Sequence, residues 1–283
     1  MWKERRRQQV TYEEKCGRLY ELIAACTQED VLLAFSGGAD SCLLLRLLCK
    51  GAEKSRKKVY AVTLHTMMHT AVEMEEAKEL AGEAGAVFIP LPVDELQNAG
   101  ILNNPVDRCY LCKKYLFTQI LQKADELGVK TVIEGTNEDD LHVYRPGLRA
   151  VRELGIVSPL AQVCMTKQEV RRCAAEWKVS VSNKPSSPCL ATRFPYGTLL
   201  TREKMRQVEY GEEYLKGLGL YNVRLRVHGD VARIEADAED MPVLLKQREA
   251  VTAFLKGLGY CYVTLDLEGF RSGSMDVHIG QKE

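Results

Sequence analysis

Apolar residues recur along this chain with two periods in alternation. Between residues 11 and 27, Tyr12, Cys16, Leu19, Tyr20, Ile23 and Cys26 fall at helical spacing, and the unbroken apolar run Val31 to Phe35 reads as a buried strand. Cys42 to Leu48 predicts a helix packed on a sheet, Val59 to Leu64 a second strand, and the charged stretch Val72 to Ala84 an amphipathic helix. Val87 to Leu91 continues as a strand, residues 107–127 as a helix ended by Gly128, and Lys130 to Glu134 as a further strand. A helix over about 167–177 opens with Thr166 and Glu169 at capping-box spacing. Strands alternating with helices in this way predict an α/β fold built on a doubly wound parallel sheet.

The pattern then changes. Residues 181–198, with prolines at 185, 188 and 195 among small polar residues, predict an irregular crossing segment. Beyond it a helix near 202–217, strands near 222–227 and 231–235, a helix near 240–256 and a strand from Tyr262 to Leu267 predict a smaller α+β unit. Two domains are therefore expected, residues 1–180 and 181–283, in a chain whose 283 residues suffice for one large or two modest cores.

Charge and cysteine content limit the function classes. Lys plus Arg equals Asp plus Glu at 39 each, so no overall field draws in nucleic acid or an anionic membrane, and any anion site must be local. No apolar run resembles a secretory signal or spans a bilayer, which predicts a cytoplasmic protein. Its ten cysteines are then expected as reduced thiols or metal ligands rather than disulfides.

Ser36-Gly37-Gly38-Ala39-Asp40-Ser41 joins the first strand to the next helix, where bare glycine backbone and a helix N-terminus can both face an anion. No Lys-Ser or Lys-Thr follows the glycines, so this is not a Walker A loop. The Ser36 and Ser41 hydroxyls can donate to phosphate, and Asp40 suits a bridging Mg2+. A tight strand-to-helix turn is the bland alternative, but the full motif resembles the PP-loop of ATP pyrophosphatases. That resemblance implies a grip on the β,γ-pyrophosphate of ATP and attack at the α-phosphate. At the end of a later strand, Glu134-Gly135-Thr136-Asn137 with Asp139 and Asp140 is similar to the segment such enzymes carry beside the nucleotide.

Cys109 and Cys112 stand three residues apart on the predicted 107–127 helix, so both thiols share a face, near the cations Arg108, Lys113 and Lys114 that favour thiolate. Cys189, in the irregular segment, is the expected third partner. Three thiolates can hold three irons of a [4Fe-4S] cluster and leave the fourth open. The same spacing suits a zinc site completed by a histidine such as His142, a redox dithiol, or thiols used as small apolar side chains. The other cysteines, at 16, 26, 42, 49, 164, 173 and 261, mostly fall at apolar positions and read as core. Arg224 and Arg226 alternate on one predicted strand and share a face, which suits an anion clamp or a solvated sheet surface.

With SGGADS, Gly-Thr-Asn-x-x-Asp, Tyr144-Arg-Pro-Gly147, Pro188-Cys-Leu-Ala-Thr-Arg193 and Leu265-Asp-Leu-Glu-Gly-Phe-Arg-Ser-Gly-Ser-Met275 in this order, nearly the whole chain resembles the LarE family. The resemblance implies an ATP-dependent sulfur transferase acting on pyridinium-3,5-biscarboxylic acid mononucleotide, which adenylylates a carboxylate and replaces AMP with sulfur. Cys189 matches the cysteine that some members sacrifice. The added Cys109 and Cys112 resemble the members that hold an iron-sulfur cluster and use external sulfide or a sulfur donor. Arg193, Arg224 and Arg226 become candidates for the substrate phosphate and carboxylates. A homo-oligomer is implied, and Arg271 is a candidate for a subunit contact. Rival readings are a PP-loop tRNA thiolase, an ammonia-using ligase, and a nonenzymatic module that binds ATP and zinc.

Overall fold

A central strand buried on both faces organises the N-terminal part of the molecule. The computed structural model describes residues 10–66, 72–143, 145–180, 189–271 and 273–275. Residues 181–188 of the expected irregular segment, including Pro188, lie outside the described residues, as do Tyr144 and Ser272. The chain begins α1 (Tyr12–Cys26), β1 (Val31–Ala34), α2 (Ala39–Ser55), β2 (Val59–His65), α3 (Val72–Ala84) and β3 (Val87–Pro92). It continues through α4 (Glu95–Asn98), α5 (Arg108–Glu126), β4 (Thr131–Ile133), α6 (Glu138–Leu141), α7 (Gly147–Glu153), α8 (Pro159–Gln162) and α9 (Lys167–Glu176). A 3-10 turn at Leu190–Arg193 leads to α10 (Arg202–Gly217), β5 (Val223–His228), β6 (Val231–Ala236), α11 (Met241–Lys246), α12 (Arg248–Gly257) and β7 (Tyr262–Leu265).

Strands β3, β2, β1 and β4 form one parallel sheet in that order, with Val31 opposite both Val59 and Thr131. Because side chains alternate along a strand, Val31 and Leu33 enter the core made with α1, α2 and α9, while Leu32 enters a second core with Phe117, Ile120 and Val151 from α5 and α7. Helices on both faces make the expected doubly wound α/β sheet. From β1 the chain winds outward to β2 and β3, and it later returns to β4 on the other side, so the order reverses at β1 and β4. Ligands of open parallel sheets bind beyond the strand carboxyl ends at such a reversal.

The described residues fall into two compact units. The first holds the sheet with the described residues of 72–93 and 109–180, and the second holds 94–108 with the described residues from 189 onward. Residues 94–108 join the second unit through main-chain bonds from Gly197 N to Asn104 O (3.0 Å) and Leu200 N to Leu102 O (2.8 Å). The buried Asn104 amide adds bonds to Phe194 O and Pro195 O. Its sheet has the order β5-β6-β7, with β5 and β6 antiparallel across the turn at Gly229 (φ +61°) and β7 parallel to β6. The helix expected over 240–256 is two helices, because Gln247 ends α11 and starts α12. No helix among the described residues is long and apolar enough to cross a membrane.

Candidate active site

The first glycine of the phosphate motif suits its backbone: Gly37 has φ +70°, a left-handed conformation that side chains disfavour. Gly38 is the N-cap of α2 and has no side chain to cap it, so the first amides of a 17-residue helix face the loop. The Ser36 and Ser41 hydroxyls lie 3.1 Å apart, and Ser41 also donates to Gly38 O at 3.0 Å, which fixes both at the loop mouth.

The segment after β4 lies directly against this loop. A Cβ on Gly135 would come 3.2 Å from Asp40 Cβ and 3.3 Å from Ser41 N, so a side chain there would crowd the loop. Asn137 donates to Asp40 Oδ1 at 3.3 Å, and the Lys167 ammonium pairs with Asp40 Oδ2. The Thr136 hydroxyl donates to the buried Glu134 carboxylate at 2.8 Å, and Lys113 lies 3.7 Å from that carboxylate. Asp140 instead caps Asn137 and pairs with Arg145 at 3.0 Å, one step back from the loop. Sequence reasoning named Lys113 only as a cation beside the thiols, and did not pick out Lys167. One signal was available for Lys167: a lysine in the first turn of a helix runs against the macrodipole.

The expected cysteine pair lies in the first turn of α5 and one turn on, with Cys109 exposed and Cys112 half-buried. Between them Tyr110 turns onto α7, its hydroxyl donating to Glu153 at 2.7 Å and Arg149 lying over its ring. The cations near the thiols also have partners of their own. Lys113 faces Glu134, Lys114 pairs with Glu153, and Arg108 donates to Asn104 Oδ1 and Ala191 O. His142, the candidate for completing a zinc site, is exposed and bonded to Glu138 at 2.8 Å. No group of three or more His, Cys, Asp or Glu side chains stands assembled for a metal among the described residues. Of the cysteines read as core, Cys16, Cys42, Cys49 and Cys173 are buried, but Cys164 and Cys261 are exposed; Cys164 ends a helical turn at φ +56°, outside any apolar face.

In the second unit the three candidate arginines gather around two carboxylates. Buried Arg193 makes a two-pronged pair with buried Glu212, at 2.7 and 2.9 Å, and also donates to Cys189 O at 3.3 Å. Arg226 is buried against Glu235 at 2.9 Å and donates to Thr192 O at 3.0 Å, so it does not cover a solvated sheet face. Arg224 shares its face, and makes no ion pair among the described residues. Burial, then the neighbouring Arg193 guanidinium, push its pKa down; burial does the same to Arg226, against the opposing pull of Glu235. Three guanidiniums facing two carboxylates give a local positive excess suited to an anion. Arg271 pairs with Asp266 and Glu268 of its own unit.

Residues 9–141 match the PP-loop domain family. Over 256 residues the chain is 38% identical to pyridinium-3,5-bisthiocarboxylic acid mononucleotide synthase of Lactiplantibacillus plantarum, covering 90% of this chain and 92% of that protein. It is 37% identical over 248 residues to an uncharacterized protein of Synechocystis sp., covering 87% of this chain and 91% of the relative. With an uncharacterized protein of Methanocaldococcus jannaschii the identity is 29% over 242 residues, 86% and 91% of the two chains.

Proposed function

This chain belongs to the LarE family of PP-loop proteins, and we propose that it is an ATP-dependent sulfur transferase that converts a carboxylate of pyridinium-3,5-biscarboxylic acid mononucleotide into a thiocarboxylate. The observation that carries this reading is the loop from Ser36 to Ser41, with its uncapped helix start and with Gly135 and Asn137 laid against it at the sheet's point of reversal. Such a loop grips the β,γ-phosphates through main-chain N–H groups and leaves the α-phosphorus open to attack. A substrate carboxylate oxygen bonds to that phosphorus, the bond to the β-phosphate oxygen breaks, and pyrophosphate leaves. Sulfur then adds to the activated carbonyl carbon and AMP departs with its electron pair. Asp40 would hold Mg2+, which supplies neutralisation of the phosphate charge.

Arg224 and Arg226 are the proposed clamp for the substrate phosphate, with Glu235 fixing the orientation of Arg226. Arg193, locked on Glu212, holds the loop that carries Cys189 and places its own charge beside the clamp. Cys109, Cys112 and Cys189 would hold a [4Fe-4S] cluster, which supplies an iron open to sulfide. One observation supports that donor set: none of the three thiols is buried. In this reading residues 1–180 activate the substrate and residues 181–283 bind it, sulfide comes free or from a donor protein, and the enzyme works as a cytoplasmic homo-oligomer.

Single alanine substitutions of Cys109, Cys112 and Cys189 test the assignment. Each is expected to abolish thiocarboxylate formation, read by mass spectrometry, while substrate-dependent pyrophosphate release persists. An undiminished thiocarboxylate yield from any of the three variants removes that cysteine from the reaction.

A further inference from the structure

We propose that His228 is a further substrate-binding residue, which takes up a proton as it binds a carboxylate of the molecule whose phosphate Arg224 and Arg226 hold. This rests on the reading of those two arginines as the phosphate clamp. Side chains two apart on a strand share a face, so Arg224, Arg226 and His228 form one row along β5. The rise of a strand sets His228 about 10 Å beyond the point midway between the two arginines. The proposed substrate separates its phosphate from its ring carboxylates by a ribose and part of the pyridinium ring, so one molecule can meet both ends of the row.

The cations around His228 are already engaged with one another's partners. Across the ladder Arg224 stands opposite Glu235, and Arg226 opposite Arg233, where like charges repel. Fully buried Glu235 holds the two guanidiniums together: one oxygen accepts from Arg226 at 2.9 Å, the other from Arg233 at 2.9 Å, and Ser274 donates to both. Arg233 also lies 3.6 Å from Asp266. The His228 side chain is exposed and makes no hydrogen bond among the described residues. Burial, then Arg233 and Arg226, hold its pKa below the ordinary 6.5, against the pull of Glu235. Those three are the charged side chains that act on it, and its neighbours across the sheet are Val231 and then Tyr262 of β7. At neutral pH the ring is therefore unprotonated, and the row ends without a charge. A carboxylate placed against the ring reverses this balance. Its nitrogen takes a proton from solvent, and imidazolium and carboxylate form a charge-assisted hydrogen bond. A ligand without a carboxylate gains nothing from this group.

Two probes separate this role from a general positive field: pyridinium-3,5-biscarboxylic acid mononucleotide, and inorganic phosphate, which lacks the carboxylates. Affinities are measured by calorimetry between about pH 5 and pH 8 for wild type and His228→Gln. The phosphate of either ligand also titrates in this range, and His228→Gln retains that contribution, so the difference between the two proteins isolates the imidazole. Wild type is expected to bind the mononucleotide on the order of tenfold more tightly than the variant at the acid end. This advantage is complete below the pKa of the free protein's imidazole and is lost as pH rises through that of the bound one. Inorganic phosphate is expected to bind both proteins alike. Ring-proton NMR gives a second readout: the His228 resonance, identified by its absence from His228→Gln, is expected to titrate at higher pH with the mononucleotide present. Parallel pH profiles for the two proteins, an unmoved His228 titration, or an equal advantage for inorganic phosphate overturns the assignment. Thiocarboxylate formation by wild type is followed in parallel. Proton-linked binding through His228 without sulfur transfer refutes the proposed function alone, and sulfur transfer with His228-independent binding refutes this inference alone.

Discussion

Cys49 points from α2 into the core with 7% of its surface exposed, and burial pushes its thiol from the ordinary 9.0 up to about 11. The folded state therefore keeps a proton that the unfolded chain releases, so this contribution to stability is complete below pH 9 and is lost as pH rises towards 11. By pH 11 the loss amounts to about 2 kcal/mol. Chemical denaturation of wild type and Cys49→Ser at several pH values checks the sign. The serine variant is expected to have a shallower decline above pH 9, whatever its stability at neutrality. A wild-type slope equal to that of the variant would mean that the thiol ionises without cost. The same burial explains why Cys42, although adjacent to the phosphate loop, is a packing residue, as its apolar helix face implied.

At the scale of elements, the second unit depends on how closely α10 lies on its sheet. A Cβ on Gly211 would come 2.5 Å from Leu225 Cδ2 and 3.2 Å from Leu255 Cδ2, so the helix and the strand are in contact at a glycine. The adjacent Glu212 carboxylate accepts from Leu225 N at 3.0 Å while it holds Arg193, and this ties the helix position to the arginine cluster. Gly211→Ala is expected to cost about 1–3 kcal/mol through overpacking, and also to weaken substrate binding by displacing Glu212. Thermal unfolding together with substrate titration checks both effects. Elements of this kind were legible in the sequence where burial dictates periodicity: β1, β2, α2 and α5 follow directly from their apolar runs. The short helix α6 was not, since the cap made by Asn137 with Asp140 forms it rather than an apolar stripe. The glycine motif could be read because its chemistry is local. The partners of Asp40 and Glu134 could not, because Lys167 and Lys113 reach them only through the folded topology.

For the molecule as a whole, equal numbers of acidic and basic residues leave function to local clusters, one around Asp40 and Lys167 and another around Arg224 and Arg226. The sulfur chemistry proposed here rests on Cys109 and Cys112 of α5 and on Cys189, just before the 3-10 turn at Leu190–Arg193. Soft thiolates suit iron-sulfur and zinc alike, but only iron-sulfur absorbs broadly in the visible, so the colour of the protein separates the two. Protein purified anaerobically, or reconstituted with iron and sulfide, is expected to be brown and to bind both elements. Replacing Cys189 alone is expected to bleach it, although both thiols of α5 remain. A colourless wild-type protein that retains zinc would reduce Cys109 and Cys112 to a structural pair. Colour that survives the loss of Cys189 would remove that thiol from the cluster and leave the source of the transferred sulfur to another group.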